Sequence, residues 1–149
     1  MEKNLAFNIS TYTCGDSAIP KPDIDNYNYW ISLINYYLKK ADTIEIHCWN
    51  EEIETIEELD SLNLEMVNEE NITIFKGKKT PVLSNYLLNS YMNKFRECKW
   101  FTVNLESGMD IVMHSGHWGT EFVIPNPKEK DIQFIKSVVP PETSFEQHE

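Results

Sequence analysis

The sequence predicts an α+β protein of a single domain, with a mixed or mainly antiparallel sheet that ends in a three-stranded meander. Apolar residues recur at helical spacing over two long segments and one shorter C-terminal segment, and they alternate with polar residues over several short segments. These elements do not follow strict strand–helix–strand alternation, which favours α+β over α/β organisation. We expect a globular domain at residues 1–139, packed by two long helices and a C-terminal helix, with residues 140–149 as a flexible tail.

The first part of the chain predicts a strand, a helix and a second strand. Leu5–Ser10 alternates apolar and polar residues, as in a half-buried strand. Asp25 or Asn26 can cap a helix that ends near Lys40. The apolar residues that share one face of this helix are Trp30, Leu33, Ile34, Tyr37 and Ala41.

Thr43–Trp49 is the clearest predicted strand. Ile44, Ile46 and Cys48 face one side of it, and Glu45, His47 and Trp49 face the other. Because neighbouring strand residues point to opposite faces, His47 cannot activate the Cys48 thiol. We therefore predict that Cys48 is a small buried hydrophobic residue.

The middle of the chain predicts two more helices and two short extended pieces. Asn50 can cap a short helix, whose buried stripe would consist of Ile53, Ile56 and Leu59. The extended pieces lie near Leu64–Val67 and Ile72–Phe75. Pro81 opens the second long helix, with apolar residues four apart at Leu83, Leu87, Tyr91 and Phe95.

The last third predicts the meander and the final helix. Its strands are expected at Trp100–Leu105, Met109–His114 and Thr120–Ile124, joined by glycine-containing turns. The final helix would bury Ile132, Ile135 and Val139, and Pro140 and Pro141 would end it. These prolines are the reason to predict a loose tail after them.

Several classes of protein are disfavoured by composition. The sequence contains no apolar run of about 18 residues and no visible secretion signal. Its three cysteines, Cys14, Cys48 and Cys98, are far apart and odd in number, which argues against a disulfide framework. We therefore predict a cytoplasmic protein that does not act at a membrane.

The net charge of −11 comes from one segment. No Lys or Arg occurs between Lys40 and Lys76, whereas 13 acidic and 13 basic residues balance each other in the rest of the chain. The segment contains eleven acidic residues: Asp42, Glu45, Glu51, Glu52, Glu54, Glu57, Glu58, Asp60, Glu65, Glu69 and Glu70. Such a surplus repels nucleic acid and anionic membranes, and it favours a basic partner or a cation.

The predicted helix after Asn50 has charges that repel one another. Glu54 and Glu58 are four residues apart with no base nearby in the sequence, and such like-charged pairs cost about 0.2–0.5 kcal/mol. Trp49 and Trp118 add aromatic residues of the kind found in binding hot spots. The predicted partner-binding residues are Glu45, Trp49, Glu51, Glu52, Glu54, Glu57, Glu58 and Asp60. The alternative is a solvated acidic face, with each tryptophan packed under a loop.

A second cluster, His114, His117 and Glu121, consists of residue types that bind zinc. The two histidines are three residues apart across a glycine-containing turn, and not four apart on one helix as in the helical zinc motif. A hydrated hairpin tip also accounts for this pattern. We therefore predict no metal, no cofactor and no catalytic residues, and we keep these three residues as the alternative metal site.

These observations predict a small acidic inhibitor of bacterial or phage origin. The class that fits best is an immunity or antitoxin-type protein that neutralises a basic toxin such as a nuclease, because charge complementarity accelerates association. One alternative is a metal-dependent enzyme that uses the His/His/Glu cluster. Another is an oligomeric scaffold subunit that associates through the Tyr- and Trp-rich first helix.

Overall fold

The computed structural model describes residues 3–9, 11–12, 21–22, 28–93 and 98–148. Within these residues the chain forms four helices: α1 (Asn28–Leu38), α2 (Ile53–Asp60), α3 (Pro81–Asn89) and α4 (Glu129–Val138). It forms ten strands: β1 (Asn4–Asn8), β2 (Thr11–Tyr12), β3 (Lys21–Pro22), β4 (Thr43–Trp49), β5 (Glu65–Asn68), β6 (Ile72–Lys78), β7 (Thr102–Ser107), β8 (Asp110–Gly116), β9 (Glu121–Pro125) and β10 (Ser144–His148).

Eight of these strands form one antiparallel sheet, in the order β10-β1-β9-β8-β7-β4-β6-β5. The predicted α+β class with an antiparallel sheet is confirmed. β7, β8 and β9 are neighbours both along the chain and in the sheet, and Gly108 supplies the positive φ of 64° for the tight turn between β7 and β8. β2 and β3 pair with each other in a separate ribbon.

The sheet buries one of its faces under the helices. On β4 the side chains of Ile44, Ile46 and Cys48 are at most 1% exposed and alternate with half-exposed ones. All four described helices contribute to the same core cluster, through residues that include Trp30, Leu59, Leu87 and Ile135. The opposite face of the central strands contains polar side chains, and on β7 Asn104 and Glu106 are buried there as well.

Both described cysteines are buried thiols without a disulfide. Burial raises the pKa of Cys48 and of Cys98 to about 12. Such thiols stay protonated and are poor nucleophiles at neutral pH. The prediction of a buried Cys48 is confirmed, and Cys14 lies outside the described residues.

Helix α1 is held by its aromatic face. Trp30 is fully buried, its indole Nε1 donates a 3.1 Å hydrogen bond to the Leu87 carbonyl of α3, and its ring lies 5.8 Å from that of Trp100. The predicted inward face of α1 is confirmed, because all of its residues are buried: Trp30, Leu33, Ile34, Tyr37 and Ala41. This face is therefore not available as an oligomer interface. The predicted caps Asp25 and Asn26 lie outside the described residues.

Asp131 joins α1 to α4. Its carboxylate accepts hydrogen bonds from Tyr36 Oη at 2.5 Å and Lys40 Nζ at 3.0 Å, both from the α1 side, and from the Lys128 backbone amide at 2.9 Å. Burial raises the pKa of Asp131, but these three hydrogen bonds outweigh it and hold the pKa below the usual range. The side chain is only 7% exposed. Asp131 is therefore a buried carboxylate that links the two helices by hydrogen bonds.

The predicted C-terminal tail forms an ordered part of the sheet. Ser144–His148 pairs with Asn4–Asn8 along all five residues of β10, and the ring of Phe145 lies 5.6 Å from that of Phe7. The expectation that residues 140–149 are a loose tail is corrected for this segment. The strand contains a single apolar residue, so its alternation is too weak to be recognised without its partner strand.

Helix α3 is shorter than predicted. It ends at Asn89, and the Tyr91 carbonyl accepts a 2.9 Å hydrogen bond from the Lys99 amide outside the helix. Tyr91 therefore does not continue the helical stripe, and Phe95 lies outside the described residues. Asn89 and Ser90 are poor helix formers, which accounts for the early end.

Candidate partner-binding surface

The exposed carboxylates of α2 and the β5–β6 hairpin form what we call the acidic surface. Asn50 joins these two elements, since its side-chain amide donates to the Glu70 carbonyl at 3.2 Å and its backbone amide donates to the Asn71 carbonyl at 3.0 Å. The hairpin tip therefore lies against the start of α2. The acidic surface consists of Glu51, Glu54, Glu57, Asp60, Glu65, Glu69 and Glu70, all of them exposed.

Helix α2 is rotated relative to the prediction. Thr55 and Leu59, four residues apart, are its buried residues, whereas Ile53 is 62% exposed. The predicted stripe is therefore wrong for Ile53, whereas Leu59 is fully buried and Ile56 packs against the core as a half-buried residue. Ile53 is apolar, and on that basis alone it is expected to be buried. Instead, the half-buried Glu52 occupies the inward position at the start of the helix. Ile53 lies on the same helical face as Glu57 and Asp60, at spacings of four and seven residues.

Glu58 is paired inside the molecule. Its Oε1 accepts hydrogen bonds of 2.8 Å from Lys99 Nζ and 2.8 Å from Tyr86 Oη. The Lys99 side chain is only 7% exposed, whereas that of Glu58 is 46% exposed. The prediction that no base relieves the charges of this helix is therefore wrong for Glu58. Lys99 follows it by 41 residues, so local spacing cannot reveal the pair.

Glu52 also binds within the molecule. Its Oε1 accepts a 2.9 Å hydrogen bond from the Trp49 backbone amide, and its Oε2 accepts one of 3.3 Å from Trp118 Nε1. Burial raises the pKa of Glu52, and these two hydrogen bonds act against that effect without cancelling it. Glu52 thus ties the loop that contains Trp118 to the end of β4.

The two tryptophans singled out in the sequence lie on either side of Phe101. The Phe101 ring is 5.2 Å from the Trp49 ring and 4.9 Å from the Trp118 ring, both in edge-on arrangements. The Trp49 indole nitrogen is buried without an acceptor among the described residues. The tryptophans are half-buried, so they border the acidic surface and do not project from it.

The loop that places Trp118 has an uncommon backbone. His117, Trp118 and Gly119 have φ values of 49°, 55° and 78°, three consecutive left-handed residues. The left-handed conformation costs about 1–2 kcal/mol for a residue with a side chain. The Trp118 contacts with Phe101 and Glu52 offset this cost. Thr120 closes the loop through a hydrogen bond from its amide to the Gly116 carbonyl at 3.2 Å.

Glu45 lies on the face of β4 opposite to Ile44, Ile46 and Cys48. Its Oε1 is 3.1 Å from His47 Nε2, and it shares a hydrogen bond with Glu106, which is in turn 3.2 Å from Lys76 Nζ. Burial and the contact with Glu45 raise the pKa of Glu106, against the opposing effect of Lys76. Burial also raises the pKa of Glu45, but its hydrogen bonds with His47 and Glu106 outweigh it and lower the pKa. Glu106 therefore takes up a proton at a higher pH than Glu45 does.

The alternative metal residues do not converge on one point. His117 Nε2 is 3.5 Å from Glu121 Oε2, while His114 Nδ1 is 2.7 Å from Asn104 Oδ1. In the part of the chain that the structure describes, no three His, Cys, Asp or Glu side chains form a group able to hold a metal ion. His117 and Glu121 thus form an exposed polar contact at a hairpin tip.

We expect His114 to titrate below 6.5, its ordinary pKa, in a histidine NMR titration. Burial lowers the pKa of His114, and the charge of His47 lowers it further, although Glu121 acts in the opposite direction. The variant His47→Gln should raise the midpoint, because it removes one of the two main causes. A wild-type midpoint at or above 6.5 would contradict the described environment of this imidazole.

The structure thus brings together four of the predicted partner-binding residues: Glu51, Glu54, Glu57 and Asp60. The other four lie beside Glu106 and His47 on the sheet (Glu45), beneath the loop (Trp49 and Glu52) or in an internal ion pair (Glu58). The prediction omitted three exposed carboxylates, Glu65, Glu69 and Glu70. A turn between two short extended pieces was the available signal that these residues belong to an exposed hairpin.

No protein-family model matches this chain, and no curated protein or solved structure was found to be similar to it. The longest helix in the described residues, α1, has 11 residues, which is too short to cross a membrane. Function is therefore inferred from the geometry and charge of the site.

Proposed function

We propose that this chain is a small acidic cytosolic inhibitor, an immunity or antitoxin-type protein of bacterial or phage origin that neutralises a basic toxin such as a nuclease. The acidic surface is the observation that carries the proposal. Its seven exposed carboxylates lie on two adjoining elements, in a segment that contains no Lys or Arg. A basic partner would supply the missing positive charge.

The electrostatic field of the acidic surface favours rapid association with a partner rich in lysine and arginine. Exposed charges interact over a screening length of about 8–10 Å at ionic strengths of 0.1–0.15 M, so neighbouring carboxylates act together on an approaching protein. Complementary charge of this kind raises the association rate more than it lengthens the lifetime of the complex. Glu57 and Asp60 have no side-chain hydrogen bond or ion pair within the described residues, and both are accessible.

Ile53, the first residue of α2, offers an apolar contact beside these carboxylates. It is 62% exposed and lies beside Glu54 and on the same helical face as Glu57. Interfaces commonly combine an apolar centre with a charged rim.

The product of the gene next to this one is the probe that tests the proposal. We expect it to be basic, to cleave nucleic acid, and to lose this activity on addition of an equimolar amount of the chain. In biolayer interferometry the association rate should fall steeply between 50 and 300 mM NaCl, with a smaller change in the dissociation rate. A neighbouring product that is not basic, or whose activity the chain leaves unchanged, would overturn the proposal.

Two single variants locate the contact. Glu57→Lys and Asp60→Lys should each weaken binding about fivefold or more, mainly through the association rate. Asp110→Lys is the matched control, because it makes the same charge change at an exposed position on β8, four strands away from β5 in the sheet. Equal effects of all three variants would show that net charge acts without a defined surface.

A further inference from the structure

The outer edge of β5 has backbone groups that no described strand pairs. β5 is the last strand of the sheet and contacts β6 alone. The Glu69 amide donates to the Ile72 carbonyl at 2.8 Å, and the register continues through Val67↔Ile74 and Glu65↔Lys76. In an antiparallel pair every second residue bonds to the neighbouring strand. The backbone N–H and C=O groups of Met66 and Asn68 therefore point away from β6.

This edge has only part of the usual protection against strand addition. Natural edge strands are commonly short or charged, or contain lysine, proline or a bulge. β5 is short, with four residues, and its one charged residue is Glu65. β5 has no Lys and no Pro, its pairing with β6 has no register shift, and all four of its residues are exposed. Met66 and Val67 are 46% and 54% exposed and lie on opposite faces of the strand. The edge thus offers both hydrogen-bonding groups and apolar side chains to an added strand.

The charge around this edge selects what can bind there. Glu65, Glu69 and Glu70 flank the two apolar residues, and each is exposed. A second copy of the same edge would bring like charges together, which is unfavourable in a strand pair. An extended segment with lysine or arginine at alternate positions would instead place its charges against these carboxylates.

A shallow groove adjoins the start of β5. Its volume is about 400 Å³, and its lining includes Leu62, Leu64 and Val82, the last of which is 66% exposed. Leu64 immediately precedes β5 and lies close to Gly77 of β6, where a β-carbon would be 2.5 Å from Leu64 Cδ2. Lys78 also lines the groove, so the groove extends the edge beyond Glu65 with apolar side chains and one cation.

We propose that the outer edge of β5 binds an extended, basic segment of a partner protein as an additional strand of the sheet. The Met66 and Asn68 backbone groups would form the main-chain hydrogen bonds, and the flanking glutamates would select for basic side chains. This inference rests on the proposed function, since it names the way in which a basic partner binds the acidic surface.

The probe is a blocked peptide of alternating lysine and valine, Lys-Val-Lys-Val-Lys, added to ¹⁵N-labelled protein. We expect saturable shift changes centred on the Met66 and Asn68 amides, together with slower hydrogen exchange of both. A matched peptide with the valines replaced by proline keeps the charge but loses backbone donors, and it should bind at least fivefold more weakly. Equal binding of the two peptides, or no shift at these amides, would overturn the inference.

Two variants of Met66 distinguish the contribution of its backbone N–H to peptide binding from that of its side chain. Met66→Pro removes an outward N–H without touching a hydrogen bond to β6, whereas Met66→Ala keeps the N–H and shortens the side chain. Only the proline variant should lose at least fivefold in peptide affinity, while both retain the wild-type circular dichroism spectrum. Equal losses in the two variants, or none in either, would contradict strand addition.

The same variants distinguish this inference from the proposed function. If Met66→Pro inhibits the neighbouring gene product as well as wild type does, while Glu57→Lys inhibits it poorly, the edge proposal fails and the inhibitor function stands. If the neighbouring product is not bound at all, the inhibitor function fails, and the peptide titration still decides whether the edge accepts a basic strand.

Discussion

Replacement of Glu58 by lysine is expected to lower the free energy of unfolding by about 2–3 kcal/mol, somewhat below the 3–5 kcal/mol typical of a fully buried ion pair. The reduced figure reflects the 46% exposure of Glu58. The variant would place a second ammonium group next to the buried Lys99, and Tyr86 Oη would lose its acceptor. Burial and the hydrogen bond to Glu58 both raise the pKa of Tyr86, so this phenol remains a donor.

The matched control for this variant is Glu57→Lys, one residue earlier on the same helix. Glu57 is exposed and has no ion pair within the described residues, so its replacement should change stability by no more than about 0.5 kcal/mol. Urea denaturation of both variants at pH 7 measures the difference. Similar losses in the two would show that Lys99 does not depend on Glu58.

This pair of variants also decides how partner binding must be tested. A loss of binding in Glu58→Lys would combine an altered surface with a less stable fold. Glu57→Lys and Asp60→Lys change the same acidic surface without disturbing an internal contact of the described residues. They are therefore the informative substitutions on this helix.

The second large effect is expected at Asp131, where replacement by asparagine should lower the free energy of unfolding at pH 7 by about 2–3 kcal/mol. This is the range for losing charge-assisted hydrogen bonds at a buried site. Lys40 and Tyr36 would lose a charged acceptor, and α4 would lose the carboxylate bonded to its Lys128 amide. The exposed control Asp110→Asn should change stability by less than about 0.5 kcal/mol.

The pH dependence of this effect has a definite sign. The pKa of Asp131 in the folded protein lies below its ordinary value of 3.8, so the unfolded chain takes up the proton first as the pH falls. The stabilisation is fully present well above pH 3.8 and is lost as the pH falls through the folded pKa. The difference between wild type and Asp131→Asn should therefore shrink in acid. A difference that stays constant from pH 7 to pH 3 would contradict the ionic role of Asp131.

Much of the fold follows from local patterns in the sequence. The alternation of Thr43–Trp49 predicts both the strand β4 and its buried side, and the spacing of apolar residues in α1 predicts the face that packs. Each of these two elements has enough buried apolar residues for the strand or helix periodicity to be visible in the sequence. β10 and α2 do not: β10 contains one apolar residue, and in α2 the buried positions are Thr55 and Leu59 while Ile53 is exposed.

The candidate site was predictable as a region but not residue by residue. The absence of bases between Lys40 and Lys76 is visible in the sequence. The exposure of Glu57 and Asp60 was not predictable from helical spacing, because both share a helical face with Ile53, which the sequence predicted to be buried. That Glu58 is paired and that the edge of β5 is open depends on which distant elements become neighbours. No spacing rule within the segment contains that information.

The sequence by itself determined where the negative charge lies and which strand and helix faces are apolar, because both depend on residues close together in the chain. Only the tertiary structure decided which carboxylates remain available to a partner. Glu52 meets Trp118 across 66 residues and Glu58 meets Lys99 across 41, so each contact exists only after the sheet and its helices have assembled. The long-range packing that buries the core also assigns each acidic side chain to the interior or to the surface.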